Sequence, residues 1–204
     1  MDRNHMKHII PISGKDSLCT ALVQTANHPK LDYTYCFNDV GSELPETYEW
    51  LDQVEIKTGW NIQRIGSDLE AMIEKSNVLP SRMMRFCTTK AKIVPFEKVF
   101  RAEPATVYYG LRADEPDCKG YVPHRNITPR YPLRDLGINL AMVLGICKAK
   151  GLKPPTFFWA TLHDCVCDLH DCVCEEMQRR CLLFNWRDCL SEIEFDLLFY
   201  EGME

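Results

Sequence analysis

"HIIPISGKDSLCTAL", residues 8–22, is the stretch that decides the fold. Its opening, "HIIPI" (8–12), is a short apolar run closed by a turn, as expected of a buried strand. From Asp16 to Ala26 the spacing changes, and Leu18, Leu22 and Thr25 fall on one face of a helix. Only Ser13, Gly14 and Lys15 lie between. A strand that turns so quickly into a helix leaves the first helical N–H groups unpaired, and the helix dipole makes that end attractive to an anion. Gly14 is read as permitting the turn and a close ligand approach. Lys15 offers charge, and Ser13 and Ser17 offer hydroxyl donors. Asp16 suits the position as a helix cap or as a ligand for Mg2+. The Walker loop is excluded, because it sets two glycines on either side of four residues ahead of its lysine. On these residues alone, a plain capped turn and a phosphate cradle both stay open.

Working outward, strand and helix signals alternate. "YTYCF" (33–37) and "NIQRI" (61–65) read as strands, and "TVYYGL" (106–111) as a fourth. A helix is expected from about Glu46 to Gly59, with Tyr48, Leu51, Val54 and Glu55 at helical spacing. A second is expected from a cap at Asp68 to Lys75, and a third in "KAKIVPFEKVF" (90–100). The proline-bearing span 114–134 reads as a long functional loop, with one short strand in "GYVPH" (120–124). Such alternation predicts a layered, mostly parallel α/β sheet. The loops at 13–17, 38–43 and 111–115 would then share the carboxyl edge, where ligands of such sheets sit. From Asn139 the pattern turns helical: "LAMVLGICKAKGL", then about 158–184 with the stripe Leu162, Val166, Leu169, Val173, Met177 and Cys181, then 186–198. The expected division is residues 1–136 as a nucleotide-binding α/β domain, with 137–204 as a helical region packed on it in one structural unit.

Composition narrows the class. The 204 residues are 46% hydrophobic and 26% charged, as in ordinary globular proteins. A net charge of −5 carries no electrostatic signal for nucleic acid. No apolar run is long enough to span a membrane, and the polar start "MDRNHMKH" lacks a signal-peptide core, so a cytoplasmic location is expected. There the eleven cysteines are expected as thiols or metal ligands and not as a disulfide framework.

Four stretches, taken in order, resemble one family. "ISGKDS" (12–17) is similar to the pyrophosphate-binding loop Ser-Gly-Gly-x-Asp-Ser of the adenine nucleotide alpha-hydrolase superfamily. "CFNDVGSELPETYEW" (36–50), "RFCTTKAKIVPFEKV" (85–99) and "YGLRADEP" (109–116) resemble the later segments of its phosphoadenosine phosphosulfate (PAPS) reductase branch, which has phage and bacterial members. The step "YPLRDLG" (131–137) matches that branch's return to helix. The resemblance implies a Rossmann-like fold of that superfamily. It implies phosphate contacts at Ser13, Gly14, Lys15, Asp16 and Ser17. It implies nucleotide contacts at Asp39, Gly41 and Glu43, where helix capping ahead of Pro45 is the competing reading. It sets Lys92 and Arg112 at the anionic end of the ligand, Arg because its planar fork suits phosphate or sulfate. Arg85 and Lys90 are read as solvated surface, and Cys87 as a small buried thiol.

The chain departs from the branch in two places. Either Ile12–Ser13 take the Ser-Gly positions or the loop is one residue shorter, which sets Ser13 where a glycine is usual. The Glu-Cys-Gly-x-His segment that carries the reductase nucleophile does not occur. The implied activity is chemistry at the α-phosphate of ATP, with an acceptor as second substrate and with Lys15, Asp16, Lys92, Arg112 and Mg2+ as the catalytic set. The ligand would be an adenine nucleotide; adenylyl sulfate, as PAPS or its unphosphorylated form, is the other enzymatic ligand. A nucleotide- or partner-binding protein of the same fold without turnover is the alternative from another class.

"HDCVCDLHDCVC" (163–174) invites a metal or thiol-redox reading through Cys165, Cys167, Cys172 and Cys174 with His163 and His170. In a helix, however, residues two apart point about 200° apart. Cys165 and Cys172 would share one face and Cys167 and Cys174 another, and neither pair makes a four-ligand cage. Packed or surface thiols are therefore expected over zinc or an Fe–S cluster. A homodimer through the C-terminal helices and a monomer using them as a lid both fit the sequence.

Overall fold

The computed structural model describes residues 6–80, 86–115 and 124–153. Five strands form one parallel sheet: β1 (Lys7–Pro11), β2 (Tyr33–Asp39), β3 (Ile62–Gly66), β4 (Ala105–Tyr108) and β5 (Ile127–Arg130). Their order is β3-β2-β1-β4-β5. The helices are α1 (Lys15–Asn27), α2 (Pro45–Thr58), α3 (Leu69–Ser76), α4 (Val94–Phe100), α5 (Pro132–Asp135) and α6 (Leu140–Ala149). The expected α/β class with a parallel sheet is what the chain adopts.

Alternation along the strands divides the core. On β1, Ile10 faces a cluster with Leu18, Leu51, Val54, Tyr35 and Phe37. Its neighbour Ile9 faces the opposite cluster with Cys36, Val107, Phe96 and Phe100. Both isoleucines are fully buried, as strands covered on two faces require. The first core continues through Leu133, Val143, Cys147 and Leu152, so α5 and α6 share it with α1 and α2 without a break near residue 136.

Local chemistry sets the element ends. Pro45 takes the first turn of α2, where a missing N–H costs nothing. Gly59 closes it at φ 73°, donating to the Glu55 carbonyl. Asp68 caps α3 by accepting the Ala71 N–H, and Asn139 caps α6 by accepting that of Met142.

Three expectations are corrected. The fourth strand ends at Tyr108, short of Leu111. The helix expected from Lys90 starts earlier, as a π-helical turn over Cys87–Ile93, before α4. Pro95 cannot donate to the Ala91 carbonyl, and the Ser67 hydroxyl donates to that oxygen at 2.7 Å instead. The span 114–134 is not all loop: it supplies β5 and most of α5. Pro129 is tolerated because, among the described residues, β5 pairs only with β4 and lies at the sheet edge. The short strand expected in 120–124 and the helices expected over 158–184 and 186–198 fall on residues outside the described ones, His124 excepted.

Candidate functional site

The strand order reverses at β1, with β2 and β3 on one side and β4 and β5 on the other. In open α/β sheets that reversal opens a crevice at the carboxyl ends, here between β1 and β4. Ser13 and Gly14 follow β1, and Tyr109 to Arg112 follow β4. The two loops touch. A Cβ on Gly110 would lie 2.6 Å from the Ser17 backbone nitrogen and 2.7 Å from the Asp16 carbonyl carbon. Only glycine lets the β4 loop lie against the first turn of α1.

Gly14 works differently from expectation. Its φ of −173° is extended backbone open to any residue, so the turn needs no left-handed glycine here. The loop is closed by Ser17 instead. Its Oγ accepts the N–H of Ser13 at 2.9 Å and that of Gly14 at 3.0 Å, and donates to the Gly14 carbonyl at 3.0 Å. The serine stands in for the anion acceptor that two outward N–H groups invite.

Asp16, Lys15 and Arg112 come together. Asp16 Oδ2 accepts from Arg112 at 2.9 Å and from Lys15 Nζ at 3.2 Å. Arg112 is buried and spends its fork on three carboxylates: Asp16, Asp114 through Nε at 3.0 Å, and Glu115 at 2.9 Å. Burial pulls its pKa down, but Asp16, Glu115 and Asp114 outweigh that and hold the guanidinium above its ordinary value. The Arg112 N–H also donates to Glu115 at 2.9 Å, which folds the loop back on itself. Asp16 thus faces two cations and ties α1 to the β4 loop.

The β2 loop forms a second group. Asp39 Oδ1 accepts the Gly41 N–H and the Tyr48 hydroxyl, each at 2.8 Å. Burial, then the bond to Asp39, push the Tyr48 phenol up to about 12. Gly41 has a φ of +75°, the left-handed conformation that favours glycine. Glu43 does not cap α2, whose cap position is Leu44 with no side-chain bond. Glu43 is buried and pairs with Lys92 at 3.7 Å. Lys90 is exposed and Cys87 is fully buried, as read from the sequence. Arg85 and the cysteines at 165, 167, 172 and 174 lie outside the described residues.

Sequence reading named none of Gly110, Asp114, Glu115, Tyr48 and Ser67 as a site residue, although Tyr48 was placed on a helix and the first three lie in a quoted stretch. The signal for Asp114 and Glu115 was available in the short spacing of "RADE" (112–115); the roles of Gly110 and Ser67 exist only across the fold.

The family model for the phosphoadenosine phosphosulfate reductase domain matches residues 7–129, more than half of the chain. The chain belongs to the PAPS reductase domain family. That family lies in the adenine nucleotide alpha-hydrolase-like superfamily. No protein of curated function matches the sequence. Among solved structures, the phosphate complex of phosphoadenylyl-sulfate (PAPS) reductase from Candida auris is similar, with a TM-score of 0.58 and 14% identity. The similarity covers 82% of this chain and 83% of that one. At that identity the likeness is one of fold. The PAPS reductase domain here thus has its family's architecture, with the β1 and β4 loops meeting at the switch point.

Among the described residues, no group of three or more His, Cys, Asp or Glu side chains is arranged to hold a metal ion. Asp16, the acid nearest the loop, is already engaged by Arg112 and Lys15. The expected Mg2+ therefore finds no protein-built cage among these residues; Mg2+ bound mainly through nucleotide phosphates needs none.

Proposed function

We propose that this PAPS reductase domain binds an adenine nucleotide with its phosphates over the Ser13–Ser17 turn, and that the nucleotide is ATP, attacked at the α-phosphorus. The contact of Gly110 with the Ser17 backbone carries this reading, because it joins the two loops that flank the switch point. An incoming phosphate oxygen takes the Ser13 and Gly14 N–H groups from Ser17 Oγ, which turns toward the ligand as a donor. Lys15 and Lys92 supply positive charge. Arg112 and Asp16 hold the two loops in register.

The acceptor's nucleophilic atom bonds to the α-phosphorus as the bond to the bridging oxygen breaks, and pyrophosphate leaves with that electron pair. The chain contributes positioning and fixed charge to this step. Reduction of an adenylyl sulfate is the other family chemistry, and it needs a nucleophilic thiolate. The Glu-Cys-Gly-x-His segment that carries that thiolate in the reductase branch does not occur in the sequence, which supports ATP over the sulfur reaction. Of the four described cysteines, all buried, burial pushes Cys19 and Cys147 up to about 12 and about 11. Calorimetry with ATP, PAPS and AMP, followed by a pyrophosphate-release assay, tests the reading. Lys15→Ala should weaken ATP binding by about tenfold or more, the worth of a charge-assisted hydrogen bond. ATP binding without pyrophosphate release under any acceptor would support the binding-protein alternative.

A further inference from the structure

The three cations assigned above to the nucleotide are spent unequally. Arg112 gives all its edges to carboxylates, and Lys15 gives a hydrogen bond to Asp16. The Lys92 ammonium makes no hydrogen bond among the described residues. Its ion-pair partner, Glu43 Oε1, lies 3.7 Å away, beyond hydrogen-bond reach. Both side chains are largely buried, at 19% exposure for Lys92 and 11% for Glu43. Glu43 Oε1 itself is buried with no hydrogen-bond partner. A buried carboxylate and a nearby ammonium that do not bond each other both forgo the solvation that would offset their burial. Such a pair is completed when a third group takes the lysine's protons.

The backbone keeps this separation. Lys92 lies in the π-helical turn, which Ser67 pins through the Ala91 carbonyl and which buries Cys87 and Ala91. Glu43 is fixed by buried Ser42 and Leu44 on either side, with Ser42 donating to Glu70 at 3.0 Å.

We infer that Glu43 is a positioning residue: it holds the Lys92 ammonium on this sheet edge with its N–H donors unspent, ready for an anionic group of the nucleotide, and does not itself touch the nucleotide. This rests on the nucleotide reading given above. A contact ion pair would consume the donors, as at Arg112, and no acid at all would leave the long lysine side chain free among its rotamers.

Binding of ATP, PAPS and adenosine to the full chain, followed by calorimetry, tests it. Lys92→Met should weaken the anionic nucleotide that wild type binds by about tenfold, with adenosine unaffected. Glu43→Ala should do the same, and Glu43→Gln, which keeps an acceptor oxygen at the same reach, should recover most of the loss. In the Lys92→Met background neither Glu43 substitution should cost anything more. Where Glu43→Ala does not fold, the Gln variant completes the cycle, because any cost it has must vanish once Lys92 is gone. Equal losses with and without Lys92, or equal losses for adenosine, would overturn the inference alone. Failure of wild type to bind either anionic nucleotide would overturn the reading of the site, and this inference with it.

Discussion

A side chain at residue 110 has nowhere to go. Its Cβ would press on the Ser17 nitrogen and the Asp16 carbonyl carbon, both backbone atoms that cannot swing aside. Gly110→Ala should therefore cost about 1–3 kcal/mol of stability, as overpacking does, read from the urea midpoint. It should also weaken nucleotide binding, since the displaced atoms belong to the loop that presents N–H groups. At this scale the tight turn at Ser13–Ser17 was legible in the sequence, because strand, turn and helix are neighbours there, while residues 13–17 alone left a capped turn and a phosphate cradle both open. Arg112 was legible as a cation but not in its partners. Asp16 lies ninety-six positions away, and only the parallel pairing of β1 with β4 brings it within 2.9 Å.

At the scale of elements, α1 begins on a self-closed turn. Ser17→Ala removes the acceptor for the Ser13 and Gly14 N–H groups and should cost about 1 kcal/mol in the free protein, the usual worth of a helix cap. Added ATP should offset less of that loss than a full contact would, if the Ser17 hydroxyl also serves the ligand; thermal melts with and without ATP measure both. Strand and helix positions for β1 to β3 and α1 to α3 followed from period and capping residues, as Asp68 and Gly59 illustrate. β5 was hidden because Pro129 and Pro132 argue locally for a loop. An edge strand tolerates the first, and the first turn of α5 accommodates the second. The π-helical turn was hidden as well, since its stabilising bond comes from Ser67, twenty-four residues earlier.

Across the whole molecule, one core joins α1 to α6. Cys147 Sγ donates to the Lys15 carbonyl at 3.7 Å, and Cys19 lies in the same cluster. Burial raises both thiols from 9.0, to about 12 for Cys19 and about 11 for Cys147. The folded state keeps protons that the unfolded chain releases above pH 9. The stabilising effect is therefore complete below that pH and is lost as pH rises through 11 to 12, by at most about 1.4 kcal/mol per pH unit for each thiol. Tyr33 and Tyr48, both raised to about 12, act with the same sign. Urea midpoints should hold steady near pH 8 and fall steadily from pH 9 to pH 11.

The sequence by itself determined the alternation of strand and helix, the parallel sheet that alternation requires, and the tight strand-to-helix turn at residues 12–15 where we propose that the phosphates bind. Those follow from hydrophobic period and from chemistry within a few residues. The tertiary structure alone decided which charges remain available. Arg112 and Lys92 look alike in the sequence as cations of matching motifs. Packing surrounds the first with Asp16, Asp114 and Glu115, and holds the second 3.7 Å from Glu43, with no hydrogen bond to its ammonium among the described residues. The separation of charged partners is set by how loops from different strands pack together, and no local pattern encodes it.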